Sequence, residues 1–325
     1  MLCLLVQPIH PDGIAVLEAA GIRTRMASAA DMATVASEIA DADAVITRNA
    51  GLSGPAMRAG VRLQVVGNHG TGLDPVDLVT ARELGLPVVF TPQANVQSVA
   101  EHVITQILAV AKRVREADAA TRENRFDYRY TRDFVELSGK TLLILGFGAI
   151  GRRTAEIAKA GFGMRILVHS PSADPAEIAA AGFHAAPDLD AALAEADVVS
   201  LHQRLNDRTR GMFGAERFAV MKPGAILVNT ARGALVQTGP LLAAIASGRL
   251  RGAATDVFDA EPPPADHPLL GAAGVVLSPH IAGATEEALV RTAVQTAQQV
   301  VDVIEGRRPP FLVDASVWER RRAGG

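Results

Sequence analysis

Short apolar runs alternate with amphipathic stretches along the whole chain, the pattern of parallel βα units. In the first hundred or so positions, strands are expected at 2–7, 44–47, 63–66 and 88–90. Helix-like stretches at 12–20 and 74–84 lie between them, the second closed by Gly85 and Pro87. A longer helical pattern runs from 96 to 122, with Val99, Val103, Ile107 and Val110 on one face. The polar, aromatic segment 125–136 then reads as an arm or loop. A second series of strands is expected at 141–145, 165–168, 198–201, 225–228, 253–256 and 275–277, and a long helix at 286–304 leads the chain back to the first domain. The fold class is therefore α/β, with two doubly wound parallel-sheet domains: 1–96 joined by 285–325, and 97–284 between them.

Composition narrows the function. A length of 325 residues, 49% of them apolar, is enough for two cores. The net charge of −3 offers nothing to a nucleic acid. No apolar stretch reaches the roughly 18–20 residues of a membrane span, and the first apolar run lacks a basic flank, so a cytoplasmic protein is expected. Cys3 is the single cysteine; it excludes an internal disulfide and a cysteine metal cluster, and its apolar run reads as a buried strand. No metal is expected. The basic run Arg320-Arg321-Arg322 reads as a frayed tail.

The first chemistry-bearing motif is a glycine turn set between a strand and a helix. The strand at 141–145 runs into Gly146, Phe147, Gly148, Ala149, Ile150 and Gly151. In that context Gly146 permits a tight turn, Gly148 lets backbone approach a pyrophosphate, and Gly151 lets helix pack on strand. Free N–H groups at the start of the helix favour the anion. NAD or NADP is the expected cofactor. An acidic residue after the next strand would select NAD, but Ser170 stands there, with no carboxylate before Asp174. No arginine follows directly to reward a phosphate, although Arg152 and Arg153 open the nearby helix, so the choice between the two stays open.

Three further stretches carry a family likeness: MKPGAILVNTARG at 221–233, GAATDVFDAEP at 252–262 and SPHIAG at 278–283. With them the chain resembles the D-isomer-specific 2-hydroxyacid dehydrogenases, which include phosphoglycerate dehydrogenase and the glyoxylate/hydroxypyruvate reductases. The likeness extends over nearly the whole chain. It implies a Rossmann cofactor domain inserted into a flavodoxin-like substrate domain, and a homodimer to which the 125–136 arm contributes. By resemblance Arg232, Glu261 and His280 are catalytic. Asp256 would face the nicotinamide carboxamide, and Thr230, Ala231, His202 and Gly283 would join the glycine turn and Ser170 in binding the cofactor. The segment from Asn68 to Asp74 is similar to the family's substrate-side turn, so Gly70, Thr71 and Gly72 are substrate candidates. Arg48, just after a strand, is another. Departures from the family pattern are Arg204 and Gln237 in place of the usual proline and acid, and Leu143 in place of a common glycine; none touches the three catalytic positions.

The chemistry suits these residue types. Reduction of a 2-oxo acid needs a hydride at the carbonyl carbon, a proton at its oxygen and a cation for its carboxylate. Histidine suits the proton transfer, a carboxylate beside it orients the ring, and the arginine fork suits the anion. A small-molecule 2-oxo or 2-hydroxy acid is thus the expected partner. Alternatives are a 3-phosphoglycerate dehydrogenase, whose phosphate Arg48 would meet, and a dinucleotide-sensing corepressor-like protein without turnover. Formate-oxidising relatives are disfavoured, because they carry glutamine where Glu261 stands.

Overall fold

The computed structural model describes residues 1–322. The chain divides into two units, Met1–Asn95 with the chain from Ala284 onward, and Val96–Gly283.

The first unit holds a five-stranded sheet of β1 (Leu2–Leu5), β2 (Arg23–Met26), β3 (Ala44–Thr47), β4 (Val65–Asn68) and β5 (Val88–Val89), in the order β2-β1-β3-β4-β5. Every pairing is parallel. The alternation of side chains along each strand sends Leu4, Val45 and Val66 to one core, and Cys3, Leu5, Ile46 and Val65 to the other. The second core is completed by Ala293, Ala297 and Val300 of the helix Glu286–Ile304. Cys3 is fully buried, and that burial pushes its thiol up to about 12.

The second unit carries seven parallel strands: β6 (Thr141–Leu145), β7 (Arg165–His169), β8 (His184–Ala185), β9 (Val198–Leu201), β10 (Ala225–Asn229), β11 (Leu250–Thr255) and β12 (Val275–Leu277). Their order, β12-β11-β10-β9-β6-β7-β8, reverses direction between β6 and β9. Open α/β sheets bind ligands outside the carboxyl ends of their strands at such a switch point. Leu142 and Ile144 face one core, Leu143 and Leu145 the other.

The structure corrects several expectations. β2 carries Arg23, Thr24, Arg25 and Met26 on an edge and has no apolar alternation to announce it, and β4 lies two residues later than expected. The helical pattern 96–122 is two helices, Val96–Ala111 and Val114–Arg122, broken at Arg113 with φ 50°. The break sets the Arg113 Nε 2.7 Å from Asp133 Oδ2, and Arg251 donates to the same carboxylate. The arm contains a short 3-10 turn, Phe126–Tyr130. The basic end is not frayed through Arg322: Arg321 stacks 3.9 Å over the Trp318 ring, and Arg322 N–H donates to the Gly85 carbonyl at 2.9 Å. Trp318 is buried there, and burial of an aromatic ring favours an ordered end. Among the described residues no helix is long and apolar enough to cross a membrane.

Candidate active site

β6 delivers the glycine turn. Gly146 sits at φ 97°, and a Cβ there would meet the His202 carbonyl oxygen, which follows β9, at 2.9 Å. A Cβ on Gly151 would collide with the Gly146 carbonyl and meet Ile144 at 3.1 Å, so helix and strand touch because side chains are missing. Gly148 is the N-cap of the helix Ala149–Phe162 without any side-chain cap, and nothing lies within 4 Å of where its Cβ would stand. Gly148 and Ala149 are exposed and Ile150 half-buried. The turn therefore presents bare N–H groups and open space, and fits a dinucleotide pyrophosphate.

Ser170 follows β7. Asp174, the first carboxylate after it, is spent on the next helix, accepting from Ala176 N–H at 2.8 Å. Arg152 lies with its guanidinium 4.4 Å from the Phe147 ring centroid and 3.9 Å from Glu177. His202 is half-buried, the loss of solvent around its ring pushes it down to about 4, and Ser200 Oγ lies 2.9 Å from its Nε2. His202 thus shapes the switch point as a neutral group.

The loops after β10, β11 and β12 hold the other expected residues. Asn229 moulds the first of them: its amide donates to the Arg232 carbonyl at 2.8 Å, and its Oδ1 accepts from Ala231 N–H at 3.0 Å. The Arg232 guanidinium donates to the Ala231 carbonyl at 2.7 Å. Thr230 Oγ1 is buried without a hydrogen-bond partner. A Cβ on Gly233 would collide with the Phe258 backbone, so the arginine loop and the glutamate loop meet main chain to main chain.

His280 and Glu261 come together. The His280 Nδ1 lies 2.6 Å from Glu261 Oε2, while Glu261 Oε1 accepts from Phe258 N–H at 3.0 Å. Burial pushes the Glu261 carboxyl up, but the His280 and Phe258 hydrogen bonds and the charges of His280 and Arg232 outweigh it and hold Glu261 below its ordinary value. Arg232 acts on Glu261 in the same direction, as the weakest of these influences. With Nδ1 on the carboxylate, Nε2 of His280 is the nitrogen left for a substrate.

Asp256 is fully buried and organises the histidine turn. Its Oδ1 accepts from Ser278 Oγ at 2.6 Å and Ile281 N–H at 2.9 Å, and its Oδ2 from Ala282 N–H at 2.8 Å. Gly283 follows, half-buried. The helix Val96–Ala111 supports this turn through two side chains that sequence reasoning passed over: His102 Nε2 lies 3.0 Å, and Gln106 Nε2 3.1 Å, from Ser278 Oγ. The spacing of His102 and Gln106, one helical turn apart, was the available signal.

In the first unit, Arg48 follows β3 and donates to the Pro8 carbonyl at 2.7 Å. The turn after β4 is held by Asn68, whose amide donates to the Gly70 and Gly72 carbonyls at 3.1 and 3.0 Å. Thr71 Oγ1 lies 3.2 Å from Asn95 Oδ1. Among the described residues, no cluster of three or more potential metal ligands occurs.

The chain is similar to known proteins in family and fold. Residues 104–282 match the D-isomer specific 2-hydroxyacid dehydrogenase, NAD binding domain. A glyoxylate reductase from Aeropyrum pernix is 42% identical over 272 residues, covering 81% of this chain and 80% of that one. A D-3-phosphoglycerate dehydrogenase from Methanocaldococcus jannaschii is 35% identical over 96% of this chain, which spans only 59% of that protein's length. The crystal structure of the TT0316 protein from Thermus thermophilus superposes with a TM-score of 0.88 at 33% identity, over 97% of this chain and 100% of that one.

Proposed function

The chain belongs to the D-isomer-specific 2-hydroxyacid dehydrogenase family, and from that premise we propose that it reduces a small 2-oxo acid, of the glyoxylate or hydroxypyruvate kind, to the corresponding 2-hydroxy acid. General 2-hydroxyacid dehydrogenase chemistry and a dinucleotide-binding domain come with the family. When bound, the reduced nicotinamide supplies the hydride for the carbonyl carbon. The observation that carries the reading is the 2.6 Å contact of His280 Nδ1 with Glu261 Oε2.

In this reading His280, protonated, gives its Nε2 proton to the carbonyl oxygen as the carbon is reduced. Glu261 stays ionised, stabilises the imidazolium before transfer and fixes the ring with Nε2 forward. Arg232 holds the substrate carboxylate and polarises the carbonyl. Arg48, Gly70, Thr71 and Gly72 are proposed substrate contacts from the first unit. Gly146, Gly148, Ala149, Ile150, Gly151, Ser170, Thr230, Ala231, Asp256 and Gly283 are proposed to hold the cofactor, with the His202 backbone closing the turn. The unpartnered Thr230 hydroxyl supports a ligand there. NADPH is proposed as an acceptable cofactor beside NADH, since Asp174 caps a helix and leaves no carboxylate at Ser170. A homodimer is proposed through the arm, where Phe126, Tyr130 and Phe134 are 60%, 69% and 39% exposed.

Oxidation of 3-phosphoglycerate is the second reading, favoured by the relatives so named and by the arginine at position 48. The deciding experiment is a turnover screen of glyoxylate, hydroxypyruvate, pyruvate and, in the oxidative direction, 3-phosphoglycerate, with both cofactors. Reduction of the first two acids supports the proposal. Turnover of 3-phosphoglycerate alone overturns it.

A further inference from the structure

Two departures from the family pattern, Arg204 and Gln237, belong to one structural feature, the loop that leaves β9. Hydrogen bonds stiffen this loop where the usual proline is missing. Thr209 Oγ1 donates to the Arg204 carbonyl at 2.8 Å and accepts from Asn206 N–H at 2.9 Å. Asn206 Oδ1 accepts from Arg208 N–H at 2.9 Å and from Thr209 N–H at 3.1 Å. Gln237 fixes the far end. It leaves its own helix, Thr238–Ala246, without a side-chain cap, and its Nε2 donates to the Gly211 carbonyl at 2.8 Å. The near end is tied to the glycine turn. His202 N–H donates to the Leu145 carbonyl at 2.8 Å, and Gly146 N–H to the His169 carbonyl at 2.9 Å. A Cβ on Gly146 would meet Gln203 N at 3.2 Å. The carboxyl ends of β9, β6 and β7 are thus laced side by side. Arg204 stands two residues beyond His202 on one flank of the turn, and Ser170 next to His169 on the other.

The arginines at this edge differ in what they touch. Arg152 has Glu177 at 3.9 Å and lies over the Phe147 ring, and Arg153 donates to Gln97 and Glu156 at 2.7 and 3.0 Å. Among the described residues, the exposed Arg204 guanidinium has no hydrogen-bond, ion-pair or ring partner. Its loop carries Arg204, Arg208 and Arg210 against a single carboxylate, Asp207. An ordered loop holding an unpaired cation beside an anion-binding turn is arranged for a further anion. We propose that Arg204 is a specificity-determining residue for the cofactor, its guanidinium donating to the 2′-phosphate of NADP(H) beside Ser170. This rests on the dinucleotide reading of the glycine turn and names the group that takes the extra phosphate. Neighbouring strands lie about 4.8 Å apart, so the ends of β7 and β9 stand about 10 Å apart across β6, a span that a phosphate and an arginine side chain cover together. The planar fork matches phosphate oxygens in pairs, whereas NADH presents a neutral hydroxyl at the same place and gains little from the charge.

The test is a fluorescence titration of the full chain with NADPH and with NADH, without any oxo acid, so that binding is read apart from turnover. The wild type is expected to bind the two within about tenfold of each other. Arg204→Ala should weaken NADPH relative to NADH by at least about tenfold, the loss of one charge-assisted pair. Arg204→Lys, which keeps the charge without the fork, should recover part of that ratio. Arg208→Ala, which removes a neighbouring charge of the same loop, should move the ratio less than about threefold. Equal weakening of both cofactors by Arg204→Ala, an unchanged ratio, no recovery with lysine, or the same shift from Arg208→Ala would overturn the inference while leaving the dinucleotide reading intact. A wild type that binds neither cofactor overturns both.

Discussion

The main-chain N–H of His280 donates to the carbonyl of Asp256 at 2.7 Å, and His280 sits at φ 55°, a left-handed conformation uncommon for a side chain of its size. Asp256 thus holds the histidine turn twice, by its backbone and by its carboxylate. His280 shares this left-handed backbone with Arg113, Asn124 and Arg132, and it is the one of the four proposed to transfer a proton.

Replacing His280 with alanine should lower kcat by about two to four orders of magnitude, with cofactor affinity changed little. Stopped-flow turnover and a cofactor-fluorescence titration measure the two quantities. Retained turnover would remove His280 from the mechanism. Glu261→Gln keeps the shape but loses the carboxylate that holds the His280 ring through Nδ1, so kcat should fall with cofactor affinity changed little; an unchanged kcat would count against the pair.

Gly233 tests whether loop spacing matters. Gly233→Ala forces the arginine loop away from the Phe258 backbone, at a cost of about 1–3 kcal/mol in stability. The expected kinetic signature is a raised KM together with a lowered kcat, since Arg232 and Glu261 are displaced from each other. Calorimetry and steady-state kinetics report both; a variant with normal KM would show that the loops adjust independently.

The support behind the histidine turn is proposed to run through His102 and Ser278. Ser278→Ala removes a donor to the buried Asp256 carboxylate, and should cost about 1–3 kcal/mol of stability and reduce kcat more than KM. His102→Gln should be milder than His102→Ala, because an amide can still reach Ser278. Equal effects of the two His102 variants would assign that residue to packing alone.

Cofactor choice is checked by kcat/KM with NADH and NADPH. With no carboxylate at position 170, NADPH is expected within about tenfold of NADH, and Ser170→Asp should depress NADPH use by at least about tenfold through charge repulsion. A wild type that strictly demands NADH would show that another group rejects the extra phosphate.

Stability should fall on mild acidification. His69 and His202 are both pushed down to about 4 by burial, from an ordinary value of 6.5. Above the ordinary value both states bind no proton; as pH falls from 6.5 to about 4 the unfolded chain takes up protons that the folded chain refuses. Each histidine then removes about 3 kcal/mol over that window. Denaturant melts at stepped pH measure the loss, and His202→Gln should reduce it; a flat stability between those limits would contradict the burial of both rings.

Local sequence determined the elements and much of the chemistry. Apolar strands, helical periodicity and a glycine turn between strand and helix are written in adjacent residues, and the arginine, glutamate and histidine each stand inside a recognisable stretch. Tertiary structure alone decided what lies between such stretches. The edge strand β2 is polar and exists because β1 offers it a parallel partner. The helix Glu286–Ile304 completes a core begun at Cys3, a pairing that no local pattern encodes. Glu261 meets His280 across 19 residues because neighbouring parallel strands bring their loops to one edge. The burial that keeps His69 neutral is likewise a sum over contacts distant along the chain, which no residue's identity can announce.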